Sequence, residues 1–297
     1  GSMGLLCAKL MVEGPLVKDR LSILAAGRRT LLDPFIKEAT KYFKDKNQKL
    51  GNSTYYFYDI TTKLHLRIND RQRFYLSYYS GKDFFHDEDL AFNLIAQNST
   101  SFKKFYELHW QNFLLSGRYN FQWNKNLFSN LSLYQSIFKS TSEQYESFRS
   151  IINSQKNDSS LVGRSYYSNI IEYGAQFTTD YSFNSNNRLK VGARIAHQQF
   201  KPNIFSYNLG NYPLEDVIYF QPKPIDSISG LNKRSNVELN AYVEDYLKLG
   251  SHFSLVFGVR MGALFYDQVE KGFILPRGRL EFEPHQQYQF FCSYDQQ

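Results

Sequence analysis

Residues 53–68 read STYYFYDITTKLHLRI. Tyr56, Tyr58, Ile60, Thr62, Leu64, Leu66 and Ile68 occupy the even positions. Tyr55, Phe57, Asp59, Thr61, Lys63, His65 and Arg67 occupy the odd ones. An extended chain puts these two sets on opposite faces, one greasy and one mostly polar, whereas a helix would scatter both around its circumference. The stretch is a strand, and the question is what each face touches.

The same alternation recurs along the chain. Ile171, Tyr173, Ala175, Phe177, Thr179, Tyr181 and Phe183 alternate with Glu172, Gly174, Gln176, Thr178, Asp180 and Ser182. Phe113, Leu115, Gly117, Tyr119, Phe121 and Trp123 alternate with a polar set that includes Asn112, Ser116, Arg118 and Asn120. Residues 189–196, 237–244 and 253–261 repeat the pattern, while 127–139 is less regular. The period-two test gives about a dozen strands. Their connectors alternate in length. Residues 14–19, 69–72, 124–126, 184–187, 249–252 and 283–287 read as tight turns rich in Gly, Pro, Asn or Asp. Residues 30–52, 83–106, 143–164 and 203–232 read as long connectors, and a tight 268–272 breaks the rule.

Turns at one end and elaborated connections at the other are the habit of outer-membrane barrels. A Greek-key sandwich has no reason to trim every second connection. The expected fold is therefore all-β, an antiparallel up-and-down transmembrane β-barrel wall of about 12 strands. Tyr56 and Tyr58 then belong to an aromatic girdle, and Asp59, Lys63, His65 and Arg67 face a polar lumen. Two alternatives stay open. One is a self-contained 12-stranded passive channel, closed by pairing Cys7–Leu10 with Phe290–Tyr294. The other is a soluble or secreted β-rich carbohydrate-binding protein with the greasy face packed inward.

Composition narrows the function classes. The net charge of +7 is modest for 297 residues and is dispersed among acids, which argues against nucleic-acid binding. Cys7 and Cys292 are too few for a disulfide framework and read as free buried thiols. No apolar run approaches the ~20 residues of a membrane helix, which does not bear on a membrane barrel. No nucleophile elbow, phosphate loop, zinc spacing or paired-cysteine site is present, so the chain reads as a non-enzyme without a cofactor.

Four segments resemble the barrel of TonB-dependent outer-membrane receptors. They are GPLVKDRLSILAAGRRT at 14–30, FYDITTKLHLRINDRQRFYLSYYSGKDFF at 57–85, NAYVEDYLKLGSHFSLVFGVRMG at 240–262 and PRGRLEFEPHQQYQFFCSYDQQ at 276–297. The resemblance implies a barrel of about 22 strands, of which residues 1–297 form a single segment, the N-terminal half, without plug domain or C-terminal strands. It also implies energy-coupled import of a scarce nutrient (siderophore, vitamin, peptide or glycan) across the bacterial cell outer membrane. The implied partners are outer-membrane lipid, the receptor's own plug domain, and the TonB energy-coupling complex reached through an N-terminal region.

The candidate ligand-binding residues are Asp59, Lys63, Arg67, Arg194, Glu238 and Glu244 on the polar face, with Tyr207, Tyr212 and Tyr219 in the aromatic-rich stretch 203–232. Aromatic rings there suit stacking on a sugar or clamping a hydrophobic ligand. The run DFFHDED at 83–89 offers His86, Asp87 and Asp89 as weak metal candidates in an expected long loop. Arg28 is placed either in the lumen or in a solvated pair with Arg29.

Overall fold

The computed structural model describes residues 1–4, 6–46, 49–95, 98–152, 155–210, 233–266, 269–285 and 288–295. The elements in order are β1 (Ser2–Met3), β2 (Cys7–Val17), β3 (Leu21–Thr30), α1 (Asp33–Lys46), β4 (Lys49–Leu50), β5 (Ser53–Arg67), β6 (Gln72–Ile95) and β7 (Asn98–Gln122). There follow β8 (Leu127–Ile152), β9 (Gln155–Asn184), β10 (Asn187–Gly210), β11 (Arg234–Leu249), β12 (Phe253–Tyr266), β13 (Val269–His285) and β14 (Tyr288–Asp295). All strands join one antiparallel sheet in which sequence neighbours pair, with β4 added beside β6. This is an up-and-down barrel wall.

The six connections expected to be short sit at one end of the sheet, while at the other end β6 and β7, β8 and β9, and β12 and β13 are also only two residues apart. Three of the six, after β5, β7 and β9, are built the same way. Asn69, Asn124 and Asn184 each accept, on the side-chain oxygen, a hydrogen bond from the backbone N–H two residues on, at 2.9, 2.8 and 2.8 Å. An asparagine that mimics a backbone turn reverses the chain in few residues. In two other short turns Asp19 (φ 61°) and Gly250 (φ 73°) take the left-handed conformation.

The register fixes the strand tilt. Following paired residues across the sheet, Leu21 at the start of β3 lies in line with Leu66, Phe74, Tyr119, Leu131, Phe177, Ala193, Ala241, Met261 and finally Ile274 of β13. Ile274 is 11 residues from His285, where β13 ends. The stagger is thus about 1.2 residues per strand. At ~3.3 Å per residue and ~4.8 Å between strands this means a tilt of about 40°, the range of closed barrels. Each residue then climbs about 2.5 Å along the barrel axis, so a hydrocarbon layer about 25 Å tall takes roughly ten residues.

The apolar face has that height. On β7 it runs from Phe121 to Phe113 and turns polar at Gln111; on β8 it runs from Leu127 to Ile137 and turns at Lys139; on β9 it ends at Ile171, below Asn169. At the short-turn end the face closes with aromatic rows. Phe121 meets Tyr119 and Trp123 at 6.3 and 4.3 Å, Tyr181 meets Phe183 at 4.5 Å, and Phe282 meets Phe253 and Phe290 at 4.5 and 6.4 Å. Trp123 Nε1 also donates to Ser129 Oγ at 3.1 Å, an apolar body with a polar handle. At the other end Tyr58 is exposed and Tyr56 stacks on Phe84 at 5.1 Å.

Among the described residues only Leu161 and Ala196 are buried hydrophobics, while Leu133, Ile60, Phe177, Phe257 and many others on the apolar face are widely exposed. A soluble sandwich needs a dry interior between two sheets; here one sheet exposes far more greasy area than a soluble monomer tolerates. Among the described residues the sheet runs from β1 to β14 with no pairing between its two ends, so the seam of a closed 12-stranded channel is not formed. Cys7 and Leu10 pair with Thr30 and Gly27 of β3, and Phe290 and Cys292 pair with Phe282 and Leu280 of β13.

Three expectations need correction. Residues 83–106 and 143–164 are strand rather than loop: β6 runs to Ile95 with β7 starting at Asn98, and β8 runs to Ile152 with β9 starting at Gln155. Above the apolar band both faces meet water, so period-two alternation fades although the backbone pairing continues. Residues 33–46 within the expected connector 30–52 form α1, opened by Asp33 and Pro34, a pairing suited to a helix start. The two cysteines are free but not buried: Cys7 is half-buried and Cys292 exposed.

Candidate functional site

Opposite the apolar face lies a polar wall that the register assembles from many strands. Its best-connected part spans β8 to β12. Tyr134, Gly174, Ala196 and Glu238 form one cross-strand row. The two small residues in its middle leave room for long side chains from the rows beside it. A Cβ on Gly174 would come within 2.2 Å of the Tyr134 ring, so this ring lies flat over the glycine. The same device recurs with Tyr242 over Gly192 and Phe273 over Gly262.

Around that row the ions are paired. Glu172 accepts hydrogen bonds from Tyr134 Oη (2.5 Å), Arg194 Nη2 (2.9 Å) and Gln198 Nε2 (2.5 Å). Arg194 Nη2 also donates to Tyr134 Oη at 2.8 Å, and its Nη1 lies 3.6 Å from Glu238. Glu238 accepts from Asn240 Nδ2 at 2.5 Å, and Arg260 donates to Asn240 Oδ1 at 3.1 Å. Farther along, Glu244 pairs with Arg277, Asp180 with Arg188 at 2.8 Å, and Glu281 with Arg279 at 2.7 Å. A wall of mixed, mutually neutralised charge suits water or a polar body in front of it.

The candidate ligand residues divide as follows. Asp59, Lys63, Arg67, Arg194, Glu238 and Glu244 share the polar face through the paired rows. Arg194 and Glu238 meet; Asp59 instead pairs with Arg28, Glu244 with Arg277, and Arg67 with Asp70 at a short turn. Arg28 is therefore on the polar face as an ion pair. Lys63 borders a separate recess of about 940 Å³ with His65, Arg118 and several serines. Tyr207 is in β10 but its side chain lies outside the described residues, as do Tyr212 and Tyr219.

The metal candidates come apart. They lie in β6, where Asp87 pairs in register with Ser53 of the polar face, and His86 with Thr54 of the other. Strand alternation sends His86 one way and Asp87 and Asp89 the other. No group of three metal-ligating side chains forms among the described residues.

His86 belongs instead to an ion cluster above the apolar band, 14 residues from the start of β6, or about 35 Å at the tilt derived above. Its Nε2 lies 3.7 Å from Glu88 and its Nδ1 3.5 Å from Glu107; Lys103 Nζ lies 3.0 Å from Glu88, and His109 Nδ1 3.6 Å from Glu107. Contact with Glu107 and then Glu88 raises the His86 pKa to about 9, and His86 in turn pulls Glu88 down to about 2. Burial raises the Glu143 pKa on the neighbouring strand. The sequence offered His86 only as a metal candidate in the run 83–89, and did not single out Lys103, Glu107, His109 or Glu143. Their signal was spacing in register: His86 pairs with Glu107, and Glu107 with Glu143.

Solved structures share this fold. FpvA of P. aeruginosa, in complex with an iron-loaded pyoverdine, superposes with a TM-score of 0.63 at 12% identity, over 97% of this chain and 40% of FpvA. A structure of FpvAI with pyocin S2 gives 0.57 at 11% identity, over 98% of this chain and 42% of that one. The RagAB peptide transporter gives 0.54 at 9%, over 93% of this chain and 34% of that one. The matching structures are TonB-dependent receptors. The chain spans about two fifths of the first of them. Neither a protein-family model nor a curated protein matches the sequence.

Proposed function

We propose that residues 1–297 are one barrel segment of a TonB-dependent outer-membrane receptor, which imports a scarce nutrient using energy coupled from the inner membrane. The observation that carries this reading is the apolar band, roughly ten residues tall on strands tilted about 40°, backed by a polar wall and continued upward by strands of 24 to 30 residues. Such a wall separates lipid from a wet lumen and lifts its far rim well above the bilayer. The likeness to FpvA and RagAB supports the receptor class. A siderophore or a peptide is consistent with those two, and a vitamin or glycan fits the wall equally.

In this reading Asp59, Lys63, Arg194, Glu238 and Glu244 line the passage or face a plug domain, and Tyr207, Tyr212 and Tyr219 meet the ligand first at the rim. The lipid touches the apolar face, and the TonB complex is reached through the plug. Membrane fractionation of cells producing the full-length protein tests this. Recovery with the outer membrane, and ligand accumulation that collapses when the proton gradient is discharged, is the expected result. Recovery in the soluble fraction without detergent would reject it.

A further inference from the structure

The polar wall pairs most of its charges on β8–β13, and Asp59 with Arg28 on β5 and β3, but two cations beside that last pair are left over. Lys63 of β5 and Arg118 of β7 border the recess of about 940 Å³, and neither has an acid partner among the described residues. The acid at the recess is Glu13, which belongs to β2 at its margin. Both cations are exposed to the recess and free to meet a ligand.

The floor between them is a grid of hydroxyls. Lys63, Ser77, Ser116 and Tyr134 make one cross-strand row; His65, Tyr75, Arg118 and Ser132 make the next. A group seated over Ser77 and Ser116 has Lys63 one strand away, at ~5 Å, and Arg118 one pleat away, at ~7 Å, both within reach of long side chains. Arg118 is held in place. Its guanidinium sits 4.5 Å from the centre of the Tyr75 ring, and His65 stacks on the same ring from the strand on the other side, at 4.6 Å and 5°. His65 Nε2 is buried and lacks a hydrogen-bond partner.

We propose that this recess binds an oxyanion, a carboxylate or phosphate group of a ligand occupying the lumen. Lys63 supplies a mobile point charge, and the stacked Arg118 a planar fork that matches two oxygens at once. The serine hydroxyls donate the remaining hydrogen bonds. A guanidinium fixed before binding loses less freedom on capture, so the site favours anions with at least two oxygens on one centre. The proposal rests on the polar face being the wet side of the wall, and it adds the chemistry that one part of this wall recognises.

Isothermal titration of the full chain in detergent, at low salt, with citrate and separately with inorganic phosphate, tests it. Saturable binding is expected. Citrate binding more tightly than phosphate assigns the site to carboxylates, and the reverse order to phosphates. Lys63→Gln together with Arg118→Gln weakens the tighter probe at least about tenfold, the loss of a charged pair's contribution, whereas Lys139→Gln on the opposite face leaves it within about twofold. Absence of saturable binding by a chain whose circular dichroism shows an intact sheet overturns the proposal, as does equal binding by the double variant. Either failure in a protein still found in the outer membrane removes the recess alone; anion binding by a protein found in the soluble fraction removes the receptor reading alone.

Discussion

Replacing Leu133 by Arg should cost the protein more than its exposure suggests. Leu133 is 55% exposed on the apolar face of β8, a setting where a substitution in a soluble protein usually changes stability by about 0.5 kcal/mol or less. Its depth says otherwise. It stands six residues above Leu127, about 15 Å up a band about 25 Å tall, and so close to the hydrocarbon midplane. Arg at that depth costs about 2–4 kcal/mol, and the cost falls to about 0–1 kcal/mol near an interface. Ile137→Arg, ten residues above Leu127, should therefore cost about 1 kcal/mol or less. Ser132→Arg, one residue from Leu133 but on the polar wall, should cost no more than about 1 kcal/mol, the repulsion from Arg118 directly opposite. Urea titration of the protein folded into phosphatidylcholine vesicles, followed by the fluorescence of Trp110 and Trp123, measures all three. Leu133→Arg unfolding at the wild-type urea concentration, or Ser132→Arg costing as much as Leu133→Arg, would refute the depth argument.

Arg194→Met and Glu172→Gln should show a coupling energy of about 1 kcal/mol in a double-mutant cycle, small because Arg194 is a third exposed; a coupling near zero would dissolve the network. Gly174→Val pushes its Cβ into the Tyr134 ring, which stands 2.2 Å from that position, and should cost about 1–3 kcal/mol. Most of this cost should return when Tyr134→Ala is added, and additivity of the two changes would refute the contact. His86 should titrate near pH 9 by NMR of labelled imidazole carbons, and Glu107→Gln should lower that midpoint. A raised imidazole pKa stabilises the fold below about 6.5 and ceases to do so as pH rises through about 9, while the depressed Glu88 contributes above about 4.5 and stops as pH falls through about 2. The cluster should hold fully at mildly acidic pH and loosen in strong alkali; a midpoint at the ordinary imidazole value would refute the pairing.

The wall was legible in the sequence where its two sides meet different solvents. Residues 53–68, 112–123 and 170–183 alternate because one face of the sheet is apolar and the other polar, and each falls in a regular strand. The upper parts of β6 to β9 were not legible. There, runs such as DFFHDED place a charge or an aromatic ring on either face without penalty. The irregularity of residues 127–139 has a cause as well: Phe128 and Phe138 fall on the polar face, in rows with Asp180 and Ile170. The polar-face location of Asp59, Lys63, Arg194, Glu238 and Glu244 followed from alternation alone. Which cation met which acid did not, because Arg194 reaches Glu172 and Arg277 reaches Glu244 across strands whose register is set by turns far from both. Lys63 and Arg118 stand unpaired for a related reason: the acids in the Lys63 row, Glu13 and Glu238, lie two and six strands away, and no acid shares the Arg118 row.

Nitroxide labels placed one at a time along residues 171–183 of β9, with both native cysteines replaced by serine and the protein in vesicles, measure which solvent each face meets. Oxygen, which concentrates in lipid, should relax the labels at 171, 173, 175, 177, 179 and 181 most strongly, and a water-soluble nickel chelate should relax those between them. Equal exposure of both sets to the chelate, or oxygen preference without a two-residue rhythm, would contradict a sheet standing between lipid and water.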